Sequence, residues 1–124
     1  MDFKAYSAVF LGAGIGGVLR YQLHTFTARQ WPDFPTGTLL ANLLGCFAMG
    51  CLLAILSRDP NEYVRLGLGV GLLGGFTTFS AFSGETIQML QRGHIGQALG
   101  YLVLSVGGSV LAAWLGLAVF RIRQ

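Results

Sequence analysis

The sequence predicts an all-α membrane protein, a single domain spanning residues 1–124 with four transmembrane helices, the third of them broken mid-span. Three observations carry that expectation. Charged residues make up 10% of the 124 and hydrophobic ones 53%, whereas a soluble domain carries roughly 25% charged residues. A soluble fold of this size would lack the polar groups to cover its surface. The few charges fall between long apolar stretches. One of those stretches is interrupted by Gly74-Gly75-Phe76-Thr77-Thr78-Phe79.

The elements follow from the spacing of the charges. The first apolar segment runs from about residue 6 to 26, with Arg20, Gln22 and His24 diluting its second half. The second, 39–56, has no charge and one amide, Asn42. The third is uncharged over 66–84 and continues to about 90; the fourth is uncharged over 95–120. An α-helix needs about 20 apolar residues to cross a bilayer, so each is long enough with some tilt. The connections around Pro32 and Pro35, around Asp59-Pro60, and at Arg92-Gly93 combine turn residues with charge, as exposed loops do. Trp31 fits the interfacial aromatic belt. With four spans, Lys4, Arg58, Arg65, Arg121 and Arg123 share one side and Arg20, Arg29 and Arg92 the other. That bias is weak for the positive-inside rule; it suits a chain that inserts both ways round, and equally a chain whose short spans leave few charges to count.

Several function classes drop out at this point. The net charge of +3 is spread along the chain with no basic run, so nucleic acid is not an expected partner. Cys46 and Cys51 lie in an apolar segment without neighbouring His residues; they read as buried free thiols, not a disulfide or zinc site. The N-terminal apolar stretch leads into further spans, and no cleavable signal is expected. Gly12-Ala13-Gly14-Ile15-Gly16-Gly17 satisfies the dinucleotide fingerprint. The segments that follow it are uncharged and glycine-rich, not the alternating strands and amphipathic helices of such a fold. The 19 glycines instead suit closely packed membrane helices: Gly12/Gly16, Ala13/Gly17 and Gly67/Gly71 are small-xxx-small pairs.

Polar groups inside the apolar segments are the candidate site. Thr38 and Asn42 share a face of the second segment, and Tyr101, Ser105 and Ser109 repeat at four-residue spacing on the fourth. On the third, Ser80 and Ser83 are three apart, and Thr86 extends the stripe. One such group is ordinarily interhelical glue; three aligned stripes in so short a chain point to a polar pathway. Glu85 is the lone carboxylate in an apolar segment and lies toward the end of its span, whereas proton-coupled transport calls for a titrating group within the membrane. Neutral donors suit a passive path for a small anion. Arg20 and His24 would supply positive potential at a vestibule, although a snorkelling arginine needs no such role. Phe79 and Phe82 share a helical face, and the positive edges of their rings would attract an anion. The break weakens the third helix with adjacent glycines and β-branched threonines. It frees carbonyl oxygens, which suit a hard cation, and two chains meeting there would surround one ion.

The chain resembles the fluoride-specific ion channel family, small double-barrelled fluoride exporters of microbes. The resemblance covers the whole length and rests on residues 16–21 (GGVLRY), 35–45 (PTGTLLANLLG) and 74–83 (GGFTTFSAFS), of which the last two are the specific ones. It implies an antiparallel homodimer of dual topology in the inner (plasma) membrane, with two separate fluoride pores. It implies one central sodium ion held by the backbone carbonyls of Gly74 and Thr77 from both subunits. Fluoride-contacting groups map onto Asn42, Phe79 and Phe82, and the polar lining onto Ser80, Ser83, Tyr101, Ser105 and Ser109. The implied activity is passive export that relieves cytoplasmic fluoride toxicity, with no enzymatic step. The competing expectation is a small proton-coupled multidrug transporter of four spans. That class needs a glutamate in its first span, and none lies between Tyr6 and Phe26. A scaffold subunit without transport would explain the glycines but not the donor stripes.

Overall fold

In the computed structural model, which describes residues 2–122, the chain forms four long helices and, among those residues, no strand. Helix α1 is Phe3–Gln30 and α2 is Thr36–Arg58. The third helix is divided: α3 runs through Glu62–Val64, Arg65–Leu73 and Gly74–Phe76, and α4 is Phe79–Gln91. Helix α5 is Ile95–Ile122. Arg123, counted in the charge asymmetry, lies outside the described residues.

Local chemistry sets the ends. Asp2 caps α1 by accepting from the Lys4 and Ala5 amides at 3.0 and 3.3 Å, satisfying donors that the first turn leaves open. Asn61 does the same for α3, through the Tyr63 and Val64 amides. Gly93, at φ 81°, turns the chain between α4 and α5, a conformation costly for any residue with a Cβ. The stretch Arg65–Leu73 is wound as a π-helix, a geometry that tends to occur beside functional sites.

Among the described residues, three helical stretches are long and apolar enough to cross a membrane: Thr36–Arg58, Glu62–Gln91 and Ile95–Arg121. Helix α1 has the length but not the composition, because Arg20, Gln22, His24 and Arg29 interrupt its second half. The protein is thus a multi-pass helical membrane protein, and the weakness expected of the first segment is real. The helix extends beyond the expected residues at both ends.

Glycines set the packing, through backbone contact. A methyl group at Gly12 would overlap the Gly67 carbonyl, and one at Gly16 the Leu72 carbonyl, so the α1–α3 seam has no room for side chains at those positions. Gly71 meets Gly12 across the same seam. The third small pair divides: Ala13 lies against Gly75, while Gly17 faces open space. The seam between α2 and α5, the most extensive in the fold, uses Gly50 against the Ala113 carbonyl and Gly116 against that of Phe47. Residues 12–17 sit inside one uninterrupted helix, which removes the phosphate-cradling turn that a dinucleotide site needs.

Candidate functional site

The helix break is narrower than its sequence signature. Gly74 has helical backbone angles (φ −62°, ψ −37°), and only Thr77 (φ −86°, ψ 155°) and Thr78 (φ −151°, ψ 125°) are extended. A side chain from another helix holds the extended pair. The Asn42 carboxamide accepts from the Thr78 amide at 2.8 Å and donates to the Thr78 carbonyl at 3.1 Å, so one Asn satisfies both backbone groups of that residue. The Thr78 hydroxyl caps α4 by accepting from the Ala81 amide at 3.1 Å. Gly45 on α2 makes room for the turn, since a methyl there would overlap the Thr77 side chain.

These two captures have a consequence for the carbonyls. In an unbroken helix the Thr78 amide would bond the Gly74 carbonyl, and the Ala81 amide that of Thr77. Both amides go to side-chain oxygens instead. Gly74 and Thr77, the two residues expected to ligate a cation, therefore carry carbonyls without their helical donors. Between them in sequence, the Gly75 carbonyl accepts from Arg20 Nε at 3.2 Å. No group of three or more His, Cys, Asp or Glu is clustered among the described residues. A metal ion at the break would rest on these neutral oxygens, the donor type that hard cations take.

Beside the break lies a cleft of about 270 Å³ between α2, α4 and α5, lined by Asn42, Phe79, Phe82, Ser105 and Ser109 among others. Cys46, a free thiol on α2, also faces it. Four aromatic rings step away from the cleft in edge-to-face pairs: Phe79 to Phe82 at 5.4 Å, Phe82 to Tyr101 at 5.2 Å, and Tyr101 to Phe34 at 5.4 Å. Phe82 is buried at 5% exposure and Tyr101 completely, while Phe79 is 75% exposed. Ser105 is 5% exposed, and its hydroxyl has no hydrogen-bond partner. Such an orphan costs about 1–3 kcal/mol and marks a place where a ligand or water belongs.

Past Phe82 the stripe continues into a hydroxyl–carboxylate cluster. Thr38 donates to Glu85 Oε1 at 2.7 Å and Tyr101 donates to Glu85 Oε2 at 2.8 Å. Glu85 also borders a second cleft, of about 200 Å³, whose lining includes His24, Trp31, Asp33 and Arg92. The cluster therefore stands between one cleft lined by Phe82 and another lined by Glu85.

The structure gathers Asn42, Phe79, Phe82, Ser105 and Ser109 around one cleft, and Thr38 with Tyr101 around Glu85. Ser80 is exposed and within 3.2 Å of the Thr78 hydroxyl; Ser83 is half-buried. Neither lines the cleft, and the Thr86 hydroxyl donates to its own helix at Phe82. Arg20 lies at the break, outside the lining of both clefts. Sequence reasoning gave Glu85 no partners and passed over Phe34. A lone carboxylate in an apolar segment was the available signal for the first; nothing local marks the second.

Helices fit to cross a membrane define a multi-pass membrane protein, with hydrogen-bonding side chains and aromatic rings gathered beside the break in its third helix. Residues 7–117 match the family described as CrcB-like protein, Camphor Resistance (CrcB). The protein named Fluoride-specific ion channel FluC from Novosphingobium aromaticivorans is 47% identical over 121 residues, covering 94% of this chain and 96% of the relative. Its namesake from Paracoccus denitrificans is 44% identical over 113 residues, 91% of each chain. That from Pseudomonas putida is 42% identical over 118 residues, 93% and 95%. The chain belongs to the CrcB family.

Proposed function

We propose that the protein is a fluoride-specific channel of the plasma membrane, through which fluoride leaves the cytoplasm down its gradient. The observation that carries this reading is the kinship to relatives named fluoride-specific ion channels, at 40–47% identity over at least nine-tenths of the chain. No bond is made or broken, and the protein is not an enzyme. All four long helices cross the bilayer in this reading.

The cleft's chemistry supports the assignment. Fluoride is small and strongly hydrated, so a path must replace its water with close hydrogen-bond donors. Asn42 spends one amide hydrogen on Thr78 and retains another. The Ser105 hydroxyl is buried without a partner, and Phe79 and Phe82 line the same space, where a ring edge would attract an anion. These donors are neutral, so an anion is attracted without a fixed cation to trap it. Further on, the Thr38 and Tyr101 hydroxyl protons are both directed at Glu85. An anion passing there competes with the carboxylate for the same protons.

The active form in this reading is an antiparallel, dual-topology homodimer with two pores. Phe79 is mostly exposed although it lines the cleft. An anion path cannot stand open to lipid, and a second copy of the chain would close it. A sodium ion fits the break: the Gly74 and Thr77 carbonyls would hold it, two from each subunit, and it would tie the broken helices together.

The test is fluoride efflux from liposomes containing the purified protein, followed with a fluoride electrode. Release that far exceeds that of empty liposomes and spares chloride is expected. Release no faster than from empty liposomes would remove the channel reading. The transporter alternative predicts proton-driven uptake; α1 contains no Asp or Glu along its full 28 residues.

A further inference from the structure

Arg20 is held at the break by close packing. A methyl group on Gly75 would sit 2.5 Å from the Ala13 carbonyl oxygen, and one on Gly16 2.8 Å from the Phe76 amide nitrogen. Helix α1 thus lies directly on the last turn of α3, and Arg20, one turn beyond Gly16, is delivered to the Gly75 carbonyl. That carbonyl falls between those of Gly74 and Thr77 in sequence. The opening takes the helical donors from four successive carbonyls, Gly74 to Thr77, and Arg20 caps one of them, leaving Gly74 and Thr77 among those free for a cation. Its charge is not neutralised: the only ion pair among the described residues is Arg65–Glu62.

We propose that Arg20 is the specificity-determining residue of the cation site, its uncompensated charge excluding divalent ions so that a monovalent ion is held. The proposal rests on the reading of the break as a cation site. Oxygen ligands accept both classes of hard cation, and neutral carbonyls alone would favour the higher charge. A fixed positive charge beside them penalises a divalent ion twice as much as a monovalent one. Capping Gly75 also withdraws one of the freed oxygens from the coordination, which again disfavours ions that demand many ligands.

The test exploits side-chain length. In glutamine the amide nitrogen is as many bonds from Cα as the arginine Nε, so R20Q keeps a donor for Gly75 and removes the charge. R20K keeps the charge. Protein purified without sodium is titrated with sodium or calcium chloride while its thermal unfolding midpoint is followed. Sodium is expected to raise the midpoint of the wild type and of R20K, with calcium much weaker. In R20Q the calcium-to-sodium affinity ratio should rise on the order of tenfold or more. An R20Q protein that folds with the wild-type ratio overturns the assignment to Arg20 while leaving the cation site standing. A wild type whose midpoint does not respond to sodium overturns both. Should R20Q not fold, Gly17→Asp serves instead: position 17 faces open space, and a carboxylate three residues before Arg20 neutralises its charge in place. An unchanged ratio in that variant overturns the proposal equally.

Discussion

Ser105→Ala separates a structural role from a functional one. The Ser105 hydroxyl is buried and has no partner, so alanine removes an unsatisfied polar group and breaks no hydrogen bond of the fold. Such a group costs about 1–3 kcal/mol. The small cavity left by one oxygen returns part of that gain. The expected result is an unfolding midpoint equal to or slightly above that of the wild type. Flux should move the other way. A hydrogen bond to a charged partner is worth about 1.5–3 kcal/mol, and if the hydroxyl donates to the anion at the barrier, its loss slows passage about 10- to 150-fold. Both quantities come from one preparation: scanning fluorimetry of the protein in detergent, and fluoride-electrode efflux after reconstitution. A Ser105→Ala protein with wild-type flux would refute the reasoning, because the orphan hydroxyl would then serve no passing ion. A large loss of stability would also refute it, by revealing a partner in the fold.

Asn42→Ala should lower stability and flux together, because the Asn42 side chain makes both hydrogen bonds to Thr78; two net bonds at about 0.5–1.5 kcal/mol each predict a loss of about 1–3 kcal/mol by thermal unfolding. Phe82→Ile removes edge-to-face contacts with Phe79 and Tyr101, each worth about 0.5–1.5 kcal/mol beyond area burial; the protein should still assemble, by size-exclusion chromatography, but with reduced efflux. Gly50→Ala drives a methyl into the Ala113 carbonyl and should lower the unfolding midpoint by several degrees, whereas Gly96→Ala, which meets nothing within 4 Å in the protomer, should not. Thr38→Val deletes the 2.7 Å bond to Glu85 and should lower the unfolding stability by on the order of 1 kcal/mol, with efflux assayed on the same protein.

Much of this architecture was legible because membrane physics writes it in composition. Uncharged runs, turn residues and glycine spacing place four helices, and the Gly12/Gly16 pair lies in a backbone seam as its spacing implies. Helix ends were less legible: amphipathic first and last turns, such as Phe3 to Ala5, carry charge and fall outside an apolar window while remaining helical. The gathering of Asn42, Phe79, Phe82, Ser105 and Ser109 follows from periodicity once the helices pack. Ser80 and Thr86 share that periodicity yet stay outside the cleft, because spacing defines a face and not what the face meets. Tyr101 and Thr38 belong to the same stripes, but the carboxylate that organises them lies on another helix, 47 residues beyond Thr38, where local spacing has no reach.

The break shows where local propensity stops deciding. Adjacent glycines are the weakest helix formers in the motif, and propensity alone would open the chain at Gly74-Gly75. Both remain in the helix that ends at Phe76, held against α1, where Gly75 is required by the approach of Ala13 and not by backbone freedom. The chain opens two residues later, where side chains offer backbone groups an alternative to the helix: Asn42 takes both groups of Thr78, and the Thr78 hydroxyl takes the Ala81 amide. Such competition lets polar side chains end a helix even inside a bilayer. The glycines thus bring α1 close enough for Arg20 to reach the Gly75 carbonyl, and the threonines and Asn42 expose the carbonyls on either side. Close approach and helix opening are separate tasks, assigned to neighbouring residues of one motif, and a variant that restores the Thr78 amide to Gly74 should abolish the sodium-induced rise in unfolding midpoint that the proposed cation site predicts before it disturbs the α1 seam.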